Sequence, residues 1–201
     1  QVSGNVRRFE IRQGEIGSVY DPVGQRHRVE WYSADAVPTA TSEMWWSQAV
    51  KVESASDFIV MGQFRAQEDL GDYLTSSPAC SIQFYGGSKL VVTYTGTSEA
   101  VHTSQPAINL AYQVPFPIGV WIRMVLRIKF DPFGSGELQV WRDGIEAANL
   151  TGLTLGYNDA RGPRFKFGAY CDDAGLAIAS FANVEWGTSS LADRIINPLP
   201  I

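Results

Sequence analysis

The chain has few of the side chains that build metal centres and disulfide frameworks. Its 201 residues include only two cysteines, Cys80 and Cys171, and two histidines, His27 and His102. Two cysteines make neither a cysteine-rich metal site nor a disulfide framework, so they are either paired or two separate thiols. A glycine-rich phosphate loop, a Ser/His/Asp order and a zinc-spaced cluster are also missing. A structural calcium ion at the acidic turn 172–173 is considered but not supported, and no cofactor or metal site is predicted.

Long apolar runs and a basic excess are lacking too. No apolar run approaches the ~18 residues of a membrane span, and no basic leader with a hydrophobic segment is recognisable, so no membrane insertion is expected. The net charge of -5 argues against a general nucleic-acid surface. Because the chain begins with Gln1 rather than Met, we interpret it as a mature or excised piece of a secreted or extracellular protein, with a phage virion as the alternative.

Short alternating segments separated by Gly- and Pro-containing turns dominate the sequence, which is the pattern of a β-sandwich or barrel. A length of 201 residues is within the range of one such domain, so 1–201 is predicted to be a single domain. About ten antiparallel strands predict an all-β fold, a concanavalin-like β-jelly roll of two packed sheets with a concave cleft. The candidate strands are 6–11, 27–32, 44–52, 58–64, 79–84, 90–94, 121–130, 137–142, 164–170 and 178–186.

The positive side chains are mostly arginine, 12 of the 16, with only four lysines. Arginine presents a planar fork that holds a carboxylate through two hydrogen bonds. An acidic protein whose arginines gather in a few strands can therefore bind an acidic ligand through a local patch. Genome composition explains the arginine excess equally well when it is taken alone.

Three predicted strands have outward faces that are polar in a specific way. In RFKFGAY, residues 164–170, the apolar side chains alternate with Lys166 and Tyr170, and Gly168 is interpreted as leaving an open spot between them. RHRVEW and FIVMGQFR, residues 26–31 and 58–65, alternate in the same way. If the apolar sides face the core, one cleft is lined by Arg26, Arg28, Glu30, Gln63, Arg65, Lys166 and Tyr170. A scatter of ordinary exposed residues is the alternative for any single strand.

These strands resemble those of jelly-roll polysaccharide lyases, the group that includes heparin lyase I, glucuronan lyases and, more distantly, small alginate lyases. RFKFGAY is similar to their Y-x-K-x-G-x-Y strand, with Arg164 in place of the first tyrosine. RHRVEW is similar to their R-x-E strand, and FIVMGQFR stands where they carry Q-x-H. Together with EMWWSQAVKV and the hairpin GVWIRMVLRIKF…GELQVWRDG, the resemblance extends from about residue 8 to residue 170.

The resemblance implies β-elimination at a uronic acid of an acidic polysaccharide, and the size of the chain favours a glucuronan-like substrate. It requires a neutralised sugar carboxylate, a base for the C5 proton and an acid for the departing O4. By this resemblance Gln63 and Arg28 neutralise the carboxylate, and Tyr170 is the acid. A monomer without nucleic-acid partners is expected. The implied substrate-binding residues are Lys166, Arg65, Glu30, Arg26 and, from a loop, His102.

The middle strand departs from the family, because Arg65 stands where the histidine base is expected. Arginine remains protonated in proteins and is a poor base. Either Tyr170 serves as both base and acid, or the chain is a non-catalytic acidic-glycan-binding or adhesion module, part of a phage tail or secreted protein. A hydrolase with paired carboxylates, Glu30 with Glu43 or Glu185, is a further rival.

Overall fold

A computed structural model describes residues 6–12, 27–36, 43–55, 57–73, 76–171 and 176–201, with the side chains of 35 and 36 excepted. Within these ranges the chain forms strands and one helix of four residues. The predicted hairpin at 121–142 is present, with residues 124–129 paired antiparallel to residues 137–142. The elements are β1 Arg7–Ile11, β2 His27–Ala36, β3 Glu43–Ser54, β4 Phe58–Arg65, β5 Cys80–Tyr85, β6 Lys89–Tyr94, β7 Gly96–Thr97, β8 Asn109–Pro115, β9 Ile122–Lys129, β10 Asp131–Arg142, β11 Ile145–Tyr157, β12 Arg164–Cys171, β13 Ala177–Gly187 and α1 Asp193–Ile196.

The strands form two packed sheets. One sheet has seven strands in the order β1-β13-β3-β9-β10-β11-β7, and the other has six in the order β2-β12-β4-β5-β6-β8. The pairing is antiparallel except between β11 and β7, which run parallel over two residue pairs. The prediction of an all-β jelly roll with two packed sheets is confirmed. No helix in the described part of the chain is long and apolar enough to span a membrane.

The core lies between the sheets and is rich in aromatic rings. Trp46 of β3 meets Phe64 of β4 and Phe165 of β12 edge to face, with ring centroids 5.8 Å and 5.2 Å apart. All three side chains are fully buried, and burying one such ring contributes roughly 2–3 kcal/mol. Because these rings lock β4 and β12 onto the opposite sheet, the alternate side chains of both strands must point outward.

Strand β12 lies between β2 and β4 in the six-stranded sheet. Its apolar residues Phe165, Phe167 and Ala169 are buried in the core, so Lys166 and Tyr170 lie on the outer face of the six-stranded sheet. The strand is paired with β2 on one side and with β4 on the other. Side chains from three adjacent strands are thereby brought together on one surface.

The two cysteines are buried thiols that form no disulfide with each other. Cys80 lies in β5 and Cys171 ends β12. Burial raises the pKa of the Cys80 thiol to about 12, which keeps it protonated and unreactive at neutral pH. Of the two alternatives that the sequence left open, two separate thiols are therefore observed.

Candidate active site

Four of the predicted site residues lie on three neighbouring strands. The strand register places Tyr170 of β12 opposite Arg28 of β2. It places Lys166 of β12 opposite Gln63 of β4. Residues that are directly opposite in an antiparallel pair have Cβ atoms about 5 Å apart, so these two pairs can act on one ligand. Their roles in binding and catalysis remain predictions.

A buried carboxylate, Glu30, connects the members of this group. Gln63 donates a hydrogen bond from Nε2 to Glu30 Oε1 at 2.7 Å. Arg28 Nη1 and Lys166 Nζ each lie 3.9 Å from Glu30 Oε2. The Glu30 side chain is only 6% exposed, and a buried carboxylate needs such donors and cations to offset its lost hydration. Glu30 thus positions the three side chains around it and offers little surface of its own to a ligand.

Arg28 also lies against the proposed catalytic tyrosine. Its guanidinium carbon is 5.5 Å from the centroid of the Tyr170 ring, within the range of a cation–π contact. A fixed positive charge beside a phenol favours its ionised form. Arg28 therefore has two possible effects at this site, attraction of an acidic ligand and support for a Tyr170 phenolate.

An open depression of about 420 Å³ lies beside this group. It is strongly cationic, with five positive side chains and one carboxylate among its lining residues. The whole chain carries a net charge of -5, so the depression differs sharply from the average surface. A surface of this kind concentrates anions and favours their binding. The lining residues are Arg28, Arg65, Ala66, Gln67, Glu68, Arg161, Arg164 and Lys166.

Like charges face each other at one end of the depression. Arg65 of β4 is directly opposite Arg164 of β12 in the strand register, an arrangement that is unfavourable without an anion nearby. Arg65 is partly neutralised by Glu68, whose Oε1 accepts from Nη2 at 2.5 Å. Arg164 Nε is buried and makes no hydrogen bond within the described ranges. An anion near the two guanidinium groups would reduce their mutual repulsion.

Comparison with known proteins identifies the family of this chain. A family model described as Polysaccharide lyase matches residues 2–191 of the chain. The chain belongs to the polysaccharide lyase family. A search of curated proteins gives no significant match.

Solved structures share the fold of this polysaccharide lyase family member. An endo-beta-1,4-glucuronan lyase from the fungus Trichoderma reesei matches with TM-score 0.69 and 16% identity, over 94% of this chain and 90% of that one. The alginate lyase A1-II', of polysaccharide lyase family-7, matches with TM-score 0.61 and 17% identity, over 92% and 81%. The alginate lyase vAL-1 from Chlorella virus matches with TM-score 0.57 and 13% identity, over 94% and 88%. At such identities the likeness establishes the fold.

Several residues that line the depression were not predicted from the sequence. Arg161 and Gln67 lie in loops that have no periodic pattern, and Arg164 was noted only as a departure from a tyrosine. Gln67 Nε2 donates to the carbonyl of Gly162 at 2.6 Å, which joins the two loops beside the depression. The closely spaced cations in ARGPRFK were the available signal for this end of the site.

Neither of the two histidines lines the depression. His102 is 1% exposed, with Nε2 only 2.7 Å from Ser76 Oγ. Its prediction as a substrate-binding residue is therefore not supported by its position, because a fully buried ring cannot contact a polymer. His27 is buried in the edge strand β2. The predicted ligand Arg26 lies outside the described residues, as does the acidic turn 172–173.

The carboxylate pair of a hydrolase is not assembled. Glu30 belongs to the six-stranded sheet, whereas Glu43 and Glu185 belong to the seven-stranded sheet. On that sheet Glu43 accepts a hydrogen bond from Arg127 at 2.8 Å, and Glu185 accepts one from Arg194 at 2.7 Å. The hydrolase alternative was wrong in its choice of residues, because β2 belongs to one sheet and β3 and β13 belong to the other.

Gly168 has a different purpose from the one the sequence suggested. A Cβ atom at this position would lie 2.3 Å from the carbonyl oxygen of Val29 and 2.8 Å from Glu30 Cα. Its φ of +145° is also a conformation that other residues rarely adopt. The glycine thus lets the backbone of β2 approach β12 closely, and the interpretation that it leaves an open spot for a ligand was wrong.

Proposed function

We propose that this polysaccharide lyase cleaves a uronic-acid-containing polysaccharide, with a glucuronan-like substrate favoured, by β-elimination. The observation that carries the proposal is the depression with five cations and one carboxylate beside Tyr170 and Gln63, in a protein of net charge -5. A uronan presents one carboxylate per sugar, so several cations along a groove suit successive sugars. The likeness to an endo-beta-1,4-glucuronan lyase over 94% of the chain supports this substrate class.

The first requirement of the reaction is neutralisation of the sugar carboxylate. Arg28 of β2 and Gln63 of β4 lie on opposite sides of β12, and both lie against Glu30. Both offer N–H donors to a sugar carboxylate bound between them. Stabilising the negative charge that builds on the carboxylate makes the C5 proton more acidic. The Cα atom of Lys166 lies about 13 Å along the strand from that of Tyr170, at ~3.3 Å per residue. From there the lysine binds the carboxylate of a neighbouring sugar.

Tyr170 then moves the proton. As a phenolate, favoured by the Arg28 cation, it removes the proton from C5. The electron pair of the C5–H bond forms the C4=C5 double bond while the C4–O4 bond breaks. The Tyr170 hydroxyl returns the proton to O4, which leaves as the new chain end. The step needs no further reactant, and the phenolate is regenerated.

A single group that serves as base and acid restricts the substrate. It must reach the C5 proton and O4 from one side of the sugar ring. In D-glucuronate and D-mannuronate these two atoms lie on the same face, whereas in their C5 epimers, L-iduronate and L-guluronate, they lie on opposite faces. The proposal therefore favours glucuronan and polymannuronate over polyguluronate.

The test is the ultraviolet absorbance of the conjugated C4=C5 double bond during incubation with each uronan. We expect product from glucuronan and a loss of at least ~100-fold in kcat for Tyr170→Phe. Tyr85→Phe is the matched control, since Tyr85 is an exposed tyrosine at the end of β5, and it should retain full activity.

Two results would overturn the lyase proposal. Binding of uronans that Arg28→Ala weakens, with no unsaturated product from any of them, would indicate a glycan-binding module. New reducing ends without a rise in absorbance would indicate hydrolysis.

A further inference from the structure

Three buried side chains with lone pairs converge outside the cationic depression. Their ligand atoms, one each from Asp72, His102 and Asp159, all lie within 4.8 Å of one another. The residues are 6%, 1% and 7% exposed, respectively. Each comes from a different connection, Asp72 between β4 and β5, His102 between β7 and β8, and Asp159 between β11 and β12. The fold thus collects them from segments far apart in sequence.

The hydrogen bonds of His102 determine which ring nitrogen carries its proton. Ser76 Oγ donates to the carbonyl of Tyr73 at 2.7 Å, so the hydroxyl hydrogen is already used. His102 Nε2, which is 2.7 Å from the same Oγ, must therefore be the donor. In the neutral ring the lone pair then resides on Nδ1. An imidazole held this way by its other nitrogen is the usual arrangement of a metal-binding histidine.

The free nitrogen of the ring points toward negative charge. Nδ1 of His102 lies 3.3 Å from Asp72 Oδ1 and makes no hydrogen bond with any described residue. A lone pair beside a carboxylate oxygen is repulsive unless a positive charge lies between them. Two backbone N–H groups, those of His102 and Asp69, donate to Oδ1 and Oδ2 of Asp72 at 3.0 Å and 2.7 Å. They hold the carboxylate in this orientation.

Asp159 supplies a further unsatisfied atom. Its Oδ1 is buried and has no hydrogen-bond partner in the described part of the chain, a costly state for a carboxylate. Unsatisfied lone pairs of His102 Nδ1 and Asp159 Oδ1 thus converge beside the Asp72 carboxylate, and a bound cation would satisfy them.

We propose that Asp72, His102 and Asp159 bind one divalent transition-metal ion of the zinc class. One imidazole nitrogen and two carboxylate oxygens form a ligand set suited to zinc. Calcium prefers six to eight oxygen ligands, which the histidine does not supply. The sequence predicted no metal site because these three residues have no recognisable spacing. The proposal does not depend on the proposed lyase reaction.

The ion would join loops that shape the cationic depression. The loop with Asp72 also carries Gln67 and Glu68, and the loop with Asp159 also carries Arg161, all three of which line the depression. The backbone N–H of Ala160 already donates to Asp69 Oδ2 across these loops at 2.7 Å. A metal ion would hold the same two loops together and would thereby fix the position of Arg161 beside the depression.

The experiment is calorimetric titration of Zn²⁺ into untagged, chelator-treated protein, with Co²⁺ absorption as a second readout. We expect one ion per chain for the wild type and at least tenfold weaker binding for Asp159→Asn. Ser76→Ala, which removes the acceptor for His102 Nε2, should weaken binding about tenfold. Asp57→Asn is the matched control, because Asp57 is an exposed aspartate just before β4, and it should bind as the wild type does.

The wild-type titration alone can overturn the proposal, so it does not rest on the folding of any variant. Absence of stoichiometric binding of Zn²⁺ and Co²⁺ would refute the site. Tighter binding of Ca²⁺ than of Zn²⁺ would refute the metal class. Zn²⁺ binding that is unchanged in both Asp159→Asn and His102→Gln would place the ion elsewhere. Lyase activity enters none of these readouts, so failure here leaves the proposed reaction untouched.

Discussion

The outer faces of the two sheets use the same residue types in different ways. On the seven-stranded sheet Arg127 donates to Glu43 at 2.8 Å and to Glu137 at 2.9 Å. Lys129 lies 3.6 Å from Glu137 on the same face. Beside the six-stranded sheet, five cations line one depression. Only two carboxylates of the described residues lie among them, Glu68 against Arg65 and the buried Glu30 near Arg28 and Lys166. The first face neutralises itself, and the second retains positive charge.

This difference shows what marks a ligand site in a protein of net charge -5. Neutralised pairs on a surface contribute little to stability, typically ~0–1 kcal/mol. Cations that outnumber the carboxylates around them repel one another, and an anionic ligand reduces that repulsion when it binds. The two faces are distinguished by the excess of cations over carboxylates. The number of cations alone does not distinguish them.

The largest expected effect is a loss of stability from substituting one glycine in the backbone of each sheet. Gly168→Ala on β12 forces a Cβ atom to within 2.3 Å of Val29 O at a φ of +145°. We expect a loss of about 3 kcal/mol in the free energy of unfolding, measured by urea denaturation. Gly187→Ala on β13 is the matched control, since its φ is +154° with nothing within 4 Å, and it should cost about 1 kcal/mol. Equal losses would show that close approach of β2 is not what requires Gly168.

The next test separates ligand binding from stability. Arg28→Ala should raise KM for glucuronan by about 10- to 100-fold, because a charged hydrogen bond to the substrate carboxylate contributes roughly 1.5–3 kcal/mol. It should also lower kcat, because Arg28 supports the Tyr170 phenolate. Arg127→Ala on the other face should leave KM unchanged and lower the free energy of unfolding by about 1 kcal/mol. Kinetics and urea denaturation of both variants form the measurement. A similar rise of KM in both would contradict the assignment of one face to the ligand.

A smaller effect is expected at the position that departs from the family. Arg65 shares its charge with Glu68 and lies at the end of the depression, so Arg65→His should lower kcat/KM about tenfold through weaker carboxylate binding. The measurement is the pH profile of activity, which should keep the shape of the wild-type profile. A gain of activity with a new group titrating near the usual histidine pKa would show instead that this position serves as the base.

The smallest effect belongs to the neutralised face. The hydrogen bond from Arg127 lowers the pKa of Glu43 below its usual 4.5, with desolvation opposing the shift. A carboxyl with a lowered folded-state pKa stabilises the fold above its unfolded value, and this contribution is lost as pH falls through the folded value. Glu43→Gln should therefore cost at most about 0.5–1 kcal/mol at pH 7, since the side chain is partly exposed. The difference should vanish in acid; urea midpoints that diverge further below pH 4 would count against it.

Features that depend on a single strand were predicted from the sequence, whereas features that depend on contacts between strands were not. The alternation of RFKFGAY placed Phe165 in the core and Lys166 on the outer face, because the two-residue period belongs to the strand alone. The role of Gly168 depends on the carbonyl of Val29 in another strand, which no local pattern reveals. Strand phase also predicted that Glu30 faces outward, but its hydrogen bond from Gln63, 33 positions along the chain, requires the register between strands.

Loop residues were the least predictable part of the site. Arg161 reaches the depression from the connection between β11 and β12, where no periodicity guides an assignment. His102 was placed in the cleft because it lies on a loop, yet it is buried beside Asp72. Tertiary contacts between connections decide such positions, and these contacts are not encoded in any single segment.

The position of β2 at the edge of the six-stranded sheet determines how we expect the protein to lose activity on heating. Among the described strands β2 hydrogen-bonds only to β12, so it can detach while the pairing of β12 with β4 persists. Detachment removes Arg28 and Glu30 from the site and leaves the aromatic core packed. Partial opening of this kind costs less free energy than global unfolding. Heat inactivation should therefore precede the loss of tertiary structure, and hydrogen exchange in β2 should be faster than in β4.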